Sequence, residues 1–317
     1  MRGLWLEDRR LRVRDDLPVP DLPPGEARIR VTVTGLCHTD LELVRGYYPY
    51  AGVLGHEFVG VVDRAPSNPS WEGRRVVGEI NATCGRCATC LAGRSSHCER
   101  RTVLGIVNRH GAFADYLTLP IANLHAVPDD MPDDVAVFTE PVAAAFRILA
   151  QVRIDPGQRV VVFGDGKLGQ VIAQVLATTG CALTVVGRHP RKLAHLAARG
   201  IAVQVDPPAA RSADVVVDCT GRREGLQAAL GALRPCGTLV LKSTFAGDTA
   251  LNLSAIVVDE LTIVGSRCGP FAPALAALAS GAVDVSPLID ARLPLADAVD
   301  AMARAGAPGT LKVLVVP

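Results

Sequence analysis

The chain has 317 residues, of which 49% are hydrophobic and 21% charged; a sizeable core is available and wholesale disorder is excluded. Lys plus Arg total 33 against 32 for Asp plus Glu, and aromatics make up 4%, so neither the basic bias nor the stacking platforms of a nucleic-acid binder are present. The charged opening (residues 1–16) lacks a signal-peptide core, and the most apolar stretch, 171–186, is broken by Gln174, Thr178, Thr179 and Gly180; no membrane partner and a cytoplasmic location are expected.

The first 140 residues read as short strands and turns. Residues 27–37 alternate β-branched and polar side chains, as a half-buried strand does. Residues 58–65 and 74–80 are further β-rich runs, separated by the turn-rich 67–73. From Pro141 the texture changes. A helix over 142–152 is followed by strand 159–164, helix 167–180, strand 182–187, helix 190–200, strand 214–221, helix 226–234 and strands 237–243 and 261–266. Such alternation predicts a parallel, doubly wound sheet. Beyond Pro270 come a helix over 273–281, a strand-like 286–295, a helix over 296–305 and a final strand, 312–316, expected to pair back with the first region. The expected domains are therefore 1–140 with 271–317, and 141–270.

In a reducing compartment, nine cysteines point to metal or free thiols rather than disulfides. Cys84, Cys87, Cys90 and Cys98 form C-x2-C-x2-C-x7-C within 15 positions. Four soft donors in a glycine-bearing loop suit tetrahedral zinc, and ligation by all four leaves no open position, so this zinc is expected to be structural. Iron–sulfur ligation and free thiols are the alternatives.

A second set of donors is dispersed. Cys37, His38, Thr39 and Asp40 follow a strand, His56 and Glu57 lie further on, and Glu140 precedes Pro141. One thiolate, one imidazole and carboxylates suit a zinc that keeps a position open for substrate. Singly, each has an ordinary explanation: a packed thiol, a satisfied polar histidine, a glutamate at a helix start.

Gly164, Gly166 and Gly169 form G-x-G-x-x-G, with Lys167 and Leu168 between the last two, after a strand and opening a helix; that context points to dinucleotide binding. At the end of the next strand, where an acidic residue commonly reads the ribose diol, stands Gly187, followed by Arg188, Arg191 and Lys192. Lacking the carboxylate and offering a guanidinium, this pattern favours NADP(H) over NAD(H).

The G-L-C-H-T-D and G-H-E segments, the four-cysteine loop and the later glycine motif, in that order over nearly the whole chain, resemble the zinc-containing medium-chain dehydrogenase/reductase family of alcohol and polyol dehydrogenases. The resemblance implies a GroES-like β-rich catalytic domain and a Rossmann domain. It implies Cys37 and His56 as catalytic zinc ligands, Glu57 as a carboxylate that enters or leaves the coordination sphere, and Glu140 as the remaining ligand, direct or through water. Asp40 would fix the His56 tautomer, and Thr39, which also reads as a helix cap, would relay a proton. Many relatives carry a histidine where this chain has Glu42; the proton then leaves through Glu42, or through the ribose and His38. Thr220 and Arg267 would flank the nicotinamide half of the coenzyme, and Tyr47, Tyr48, Asn81 and Val107 would line the substrate pocket. The expected protein holds two zinc ions per chain, transfers hydride between an alcohol or carbonyl substrate, with polyols and sugar derivatives among the candidates, and NADP(H), and assembles as a homodimer or homotetramer. The competing expectation is a non-catalytic NADPH-binding or redox-sensing homologue.

Overall fold

The computed structural model describes residues 1–244 and 249–317 and divides into two units, Met1–Glu140 with Leu288–Pro317, and Pro141–Pro287. In the first unit the strand Glu26–Gly35 is central. Ala27, Ile29, Val31 and Val33 turn inward, while Arg30 faces solvent. This strand pairs antiparallel with Glu57–Arg64, Tyr116–Pro120 and the terminal Lys312–Val316, so the last strand returns to the first region as its sequence predicts. Arg75–Gly78, Leu124–Ala126 and Ile289–Pro294 complete a seven-stranded sheet. Leu4, Leu6, Leu36, Leu43, Leu54, Phe113 and Val313 form one apolar core beneath it.

The second unit is a six-stranded parallel sheet in the order Ala202–Gln204, Ala182–Val186, Arg159–Phe163, Ala213–Asp218, Leu233–Leu241, Thr262–Gly265. The order reverses beside Arg159–Phe163, the switch point of a doubly wound fold, where ligands bind outside the carboxyl ends of the strands. The short edge strand Ala202–Gln204 and the helix Leu253–Val258 are not anticipated by the sequence pattern; each is too brief to show a period.

The second domain boundary differs from the expected 270/271. The helix Phe271–Ala279 belongs to the doubly wound unit, which runs to Pro287. Buried Gln174 holds the following segment in place, accepting from the Asp284 N–H at 2.7 Å and donating to its carbonyl at 3.0 Å. Arg199 donates to the carbonyls of Gly281 and Ala282. Among the described residues no helix is long and apolar enough to cross a membrane.

Within the first sheet, Arg109 makes a paired contact with both Glu26 oxygens at 2.7 Å and also donates to the Thr118 carbonyl and Thr102 hydroxyl. Arg109→Ala strands a nearly buried carboxylate and should cost about 2 kcal/mol, the partial exposure tempering the full penalty of a broken buried pair; urea denaturation monitored by circular dichroism measures it.

Candidate active site and metal centres

Two groups of metal-donor side chains are brought together. In the first, donor atoms of Cys37, His56 and Glu57 lie within 4.8 Å of one another. The cause is a strand register: Gly35 faces Glu57, so the chain leaving one strand and the chain opening the next meet at the sheet end. Gly55, at φ +96°, makes the turn into His56; a Cβ there would sit 2.9 Å from the Phe113 nitrogen.

Cys37 is the N-cap of the helix His38–Arg45, and Asp40, fully buried, accepts the Cys37 N–H at 2.9 Å. The other Asp40 oxygen lies 3.2 Å from His56 Nδ1, and neither atom has another partner. One carboxylate thus orients both the thiol-bearing backbone and the imidazole, leaving Nε2 for a metal. Burial alone would lower the His56 pKa, but Asp40 and the Cys37 thiolate overcome it and hold it well above the ordinary value. A half-buried thiol with a buried imidazole and carboxylate, beside a second buried carboxylate, suits a divalent cation, with the mixed donors of a zinc site.

Lys312 is the residue that sequence reasoning missed. It is 1% exposed, pairs with Glu57 and donates to the Leu36 carbonyl at 3.3 Å. Its ammonium lies 5.1 Å from the Phe138 ring centroid. The close approach of Glu57 and Lys312 passes over Gly35, where a Cβ would come within 2.4 Å of the Glu57 carboxylate. A signal was present: a lysine leading an otherwise apolar strand must find a counter-charge if buried.

Glu140 stands in the first turn of the helix Thr139–Gln151, half-buried, outside the Cys37–His56–Glu57 group. The expectation for it is a ligand, direct or through water; the helix start fixes its backbone, and Glu57 is the carboxylate of the Cys37–His56 group. Thr39 is the second helical residue, not the cap, and its hydroxyl lies 3.7 Å from Cys37 Sγ. His38 Nε2 is 3.3 Å from a Glu42 oxygen, which also accepts from Arg45 at 2.6 Å. Tyr47 and Tyr48 are exposed beyond the helix; Tyr48 lines a cavity of about 290 Å³ with Arg9, Leu43 and Tyr50, which holds no metal donor. Asn81 is buried in a two-residue strand whose partner, Val103, also bridges Val107.

The second group is Cys84, Cys87, Cys90 and Cys98, donors again within 4.8 Å. Sulfur separations run from 3.5 to 3.9 Å for 87–90, 84–98 and 87–98. The backbone N–H groups of Cys84 and Arg100 point at Cys98 Sγ. Cys84 is pushed down to about 6, chiefly by the Arg86 backbone, and Cys90 up to about 12, chiefly by desolvation. Thiols this crowded ionise together only around a cation, so the loop fits a tetrahedral metal.

In the second unit, Gly166 caps the 11-residue helix Lys167–Ala177, and no side-chain hydrogen bond closes that end. Nothing lies within 4 Å of a notional Cβ at Gly166, whereas one at Gly169 would meet the Gly164 carbonyl at 2.0 Å. Leu168 follows Lys167 in the first turn. This is the open helix N-terminus that a pyrophosphate requires. Cys219 packs beneath the loop, its thiol donating to the Phe163 carbonyl at 3.1 Å and raised by burial. Thr220 donates through hydroxyl and backbone to Asp218, a buried carboxyl also raised by desolvation. Arg267 is exposed beside Cys268. Of the cations after Gly187, Arg188 and Arg191 are exposed and Lys192 is buried. The space at Gly187 is not empty: a Cβ there would lie 2.5 Å from the Asp165 Cβ.

A GroES-like zinc domain joined to a doubly wound dinucleotide domain defines a zinc-binding dehydrogenase. Family models agree: an alcohol dehydrogenase GroES-like domain matches residues 23–129 and a zinc-binding dehydrogenase domain matches 168–280. L-Threonine 3-dehydrogenase of Anaeromyxobacter sp. (strain Fw109-5) is 30% identical over 92% of this chain and 90% of its own length. D-Altritol 5-dehydrogenase of Agrobacterium fabrum is 29% identical over 99% and 98%. Among solved structures, a zinc-binding dehydrogenase of Sinorhizobium meliloti 1021 bound to NADP superposes with a TM-score of 0.90 at 28% identity, covering 100% of this chain and 99% of that one. A short chain alcohol dehydrogenase of Escherichia coli CFT073 with NADH gives 0.90 at 25% identity and the same coverage. The chain belongs to the zinc-containing medium-chain alcohol and polyol dehydrogenase family.

Two outcomes follow from the buried charges. Asp40→Asn should keep the Cys37 N–H bond yet weaken metal binding at the first centre roughly 10- to 100-fold, as removing a ligand-orienting partner does; competition with a chromogenic chelator reads it. Lys312→Met leaves Glu57 buried without a counter-charge and should destabilise the metal-free protein by about 3 kcal/mol. The loss should shrink when metal is restored, which urea titrations with and without chelator compare.

Proposed function

We propose that this alcohol/polyol dehydrogenase uses NADP(H) in preference to NAD(H) and holds two zinc ions per chain, a catalytic one at Cys37, His56 and Glu57 and a structural one in the four-cysteine loop. The observation that carries the reading is the convergence of Cys37 with the adjacent His56 and Glu57, 19 positions further on, at one centre oriented by Asp40. Zinc there supplies Lewis acidity toward an alcohol or carbonyl oxygen. Asp40 keeps the His56 ring turned so that Nε2 faces the centre. Lys312 neutralises Glu57, and Glu140 contributes through water. Thr39, beside Cys37, takes the substrate hydroxyl proton and passes it on, and the His38–Glu42 contact delivers it to solvent. Arg188, with Arg191 near it, reads the 2′-phosphate; the open N-terminus at Gly166 takes the pyrophosphate.

The substrate class proposed is a small polyol or sugar-derived alcohol. Two relatives carry names of that type, D-altritol 5-dehydrogenase and the L-galactonate-5-dehydrogenase of Escherichia coli (strain K12). The protein acts in the cytoplasm as a homodimer or homotetramer, associating through the edge strand Thr262–Gly265 of the parallel sheet.

A panel of polyols, sugars, simple alcohols and aldehydes, run with NADPH and NADH in parallel, tests the reading. Turnover with a polyol and NADPH is expected; zinc-loaded protein inactive on every compound would favour a non-catalytic NADPH-binding or redox-sensing homologue. Cys37→Ala should abolish turnover and lose one of two zinc ions with little change in melting temperature. Cys90→Ala should instead lower the melting temperature; the reverse pattern would show the two centres exchanged.

A further inference from the structure

The strands Arg159–Phe163 and Ala182–Val186 run parallel with Phe163 beside Val186, so the residues that follow each strand are neighbours. The Gly164 N–H donates to the Val186 carbonyl at 2.9 Å. One residue later, the Asp165 side chain turns toward the end of the second strand. A Cβ at Gly187 would stand 2.5 Å from the Asp165 Cβ and 2.7 Å from its Oδ2. Positions 165 and 187 therefore compete for one volume, and Asp165 holds it.

Its carboxylate is also fully engaged. Oδ2 accepts the backbone N–H of Arg188 and of His189, both at 2.7 Å, and lies 3.0 Å from His189 Nδ1. Asp165 is 7% exposed, and its pKa lies below the ordinary carboxylate value because these donors outweigh the cost of burial. Behind it, the Gln170 amide donates to the carbonyls of Asp165 and Lys192 at 3.2 and 2.9 Å, tying the glycine loop to the helix Pro190–Ala197. The turn after the strand is thus shaped from the glycine loop, while Arg188 and Arg191 remain exposed.

We propose that Asp165 is the positioning residue for coenzyme selection: it excludes an acidic reader of the ribose diol at position 187 and clamps the Arg188–His189 backbone so that the turn presents cations to a 2′-phosphate. The Asp165 carboxylate is directed inward, its charge spent on two backbone N–H groups and a ring. This rests on the NADP(H) reading above and names what enforces it.

The test is calorimetric binding of 2′,5′-ADP and 5′-AMP, fragments that differ in the 2′-phosphate alone, to the zinc-loaded full chain. Wild type should bind 2′,5′-ADP tighter by roughly tenfold or more, the scale of a lost charge-assisted contact. Asp165→Ala should erase most of that margin while 5′-AMP binding changes by less than about twofold, since the pyrophosphate end of the loop is untouched. Asp165→Asn, whose amide oxygen still accepts the two N–H groups, should retain part of the margin. The double variant Asp165→Gly/Gly187→Asp moves the carboxylate across the same volume and should turn the preference toward 5′-AMP. A folded Asp165→Ala protein with the wild-type margin would overturn the proposal and leave the coenzyme reading standing. If that variant does not fold, a double variant still preferring 2′,5′-ADP overturns it. A wild type without any margin removes the coenzyme reading itself, and the proposal with it.

Discussion

The pairing of Gly35 with Glu57 across two antiparallel strands is the constraint on which the first metal centre depends. Cys37 and His56 are 19 positions apart, yet the register places both just beyond the same sheet end. A strand slipped by one residue would send alternate side chains to the opposite face and separate the donors. The register is supported by apolar burial along Glu26–Gly35 and, toward the far end, by the Arg28–Asp63 pair that crosses the two strands.

Two carboxylates are buried around that centre, and each is disposed of differently. Asp40 divides its oxygens between the Cys37 backbone and the His56 ring. Glu57 has Lys312, delivered by the last strand of the chain. The Cys37 thiol, half-buried, sits at the N-cap of the helix His38–Arg45.

Legibility in the sequence followed distance along the chain. The four-cysteine loop and the G-x-G-x-x-G turn are local, so spacing alone points to their chemistry, and the alternation after Pro141 marks the doubly wound sheet. The first centre was readable in residue type, through Cys37, His56 and Glu57, but not in its full membership. Lys312 lies 255 positions from Glu57, and no pattern short of the folded sheet joins them. Gly187 signals a missing carboxylate; that Asp165 occupies the space appears only when two parallel strands are laid side by side. The boundary after Pro287 was hidden for a similar reason, because Gln174 anchors a segment more than a hundred positions away.

Anomalous diffraction at the zinc absorption edge, from crystals of protein grown with zinc, addresses the central assignment most directly. Two peaks per chain are expected, one enclosed by the four loop sulfurs and one bonded to Cys37 Sγ and His56 Nε2. A signal confined to the cysteine loop, or a second peak that touches neither Cys37 nor His56, would contradict it.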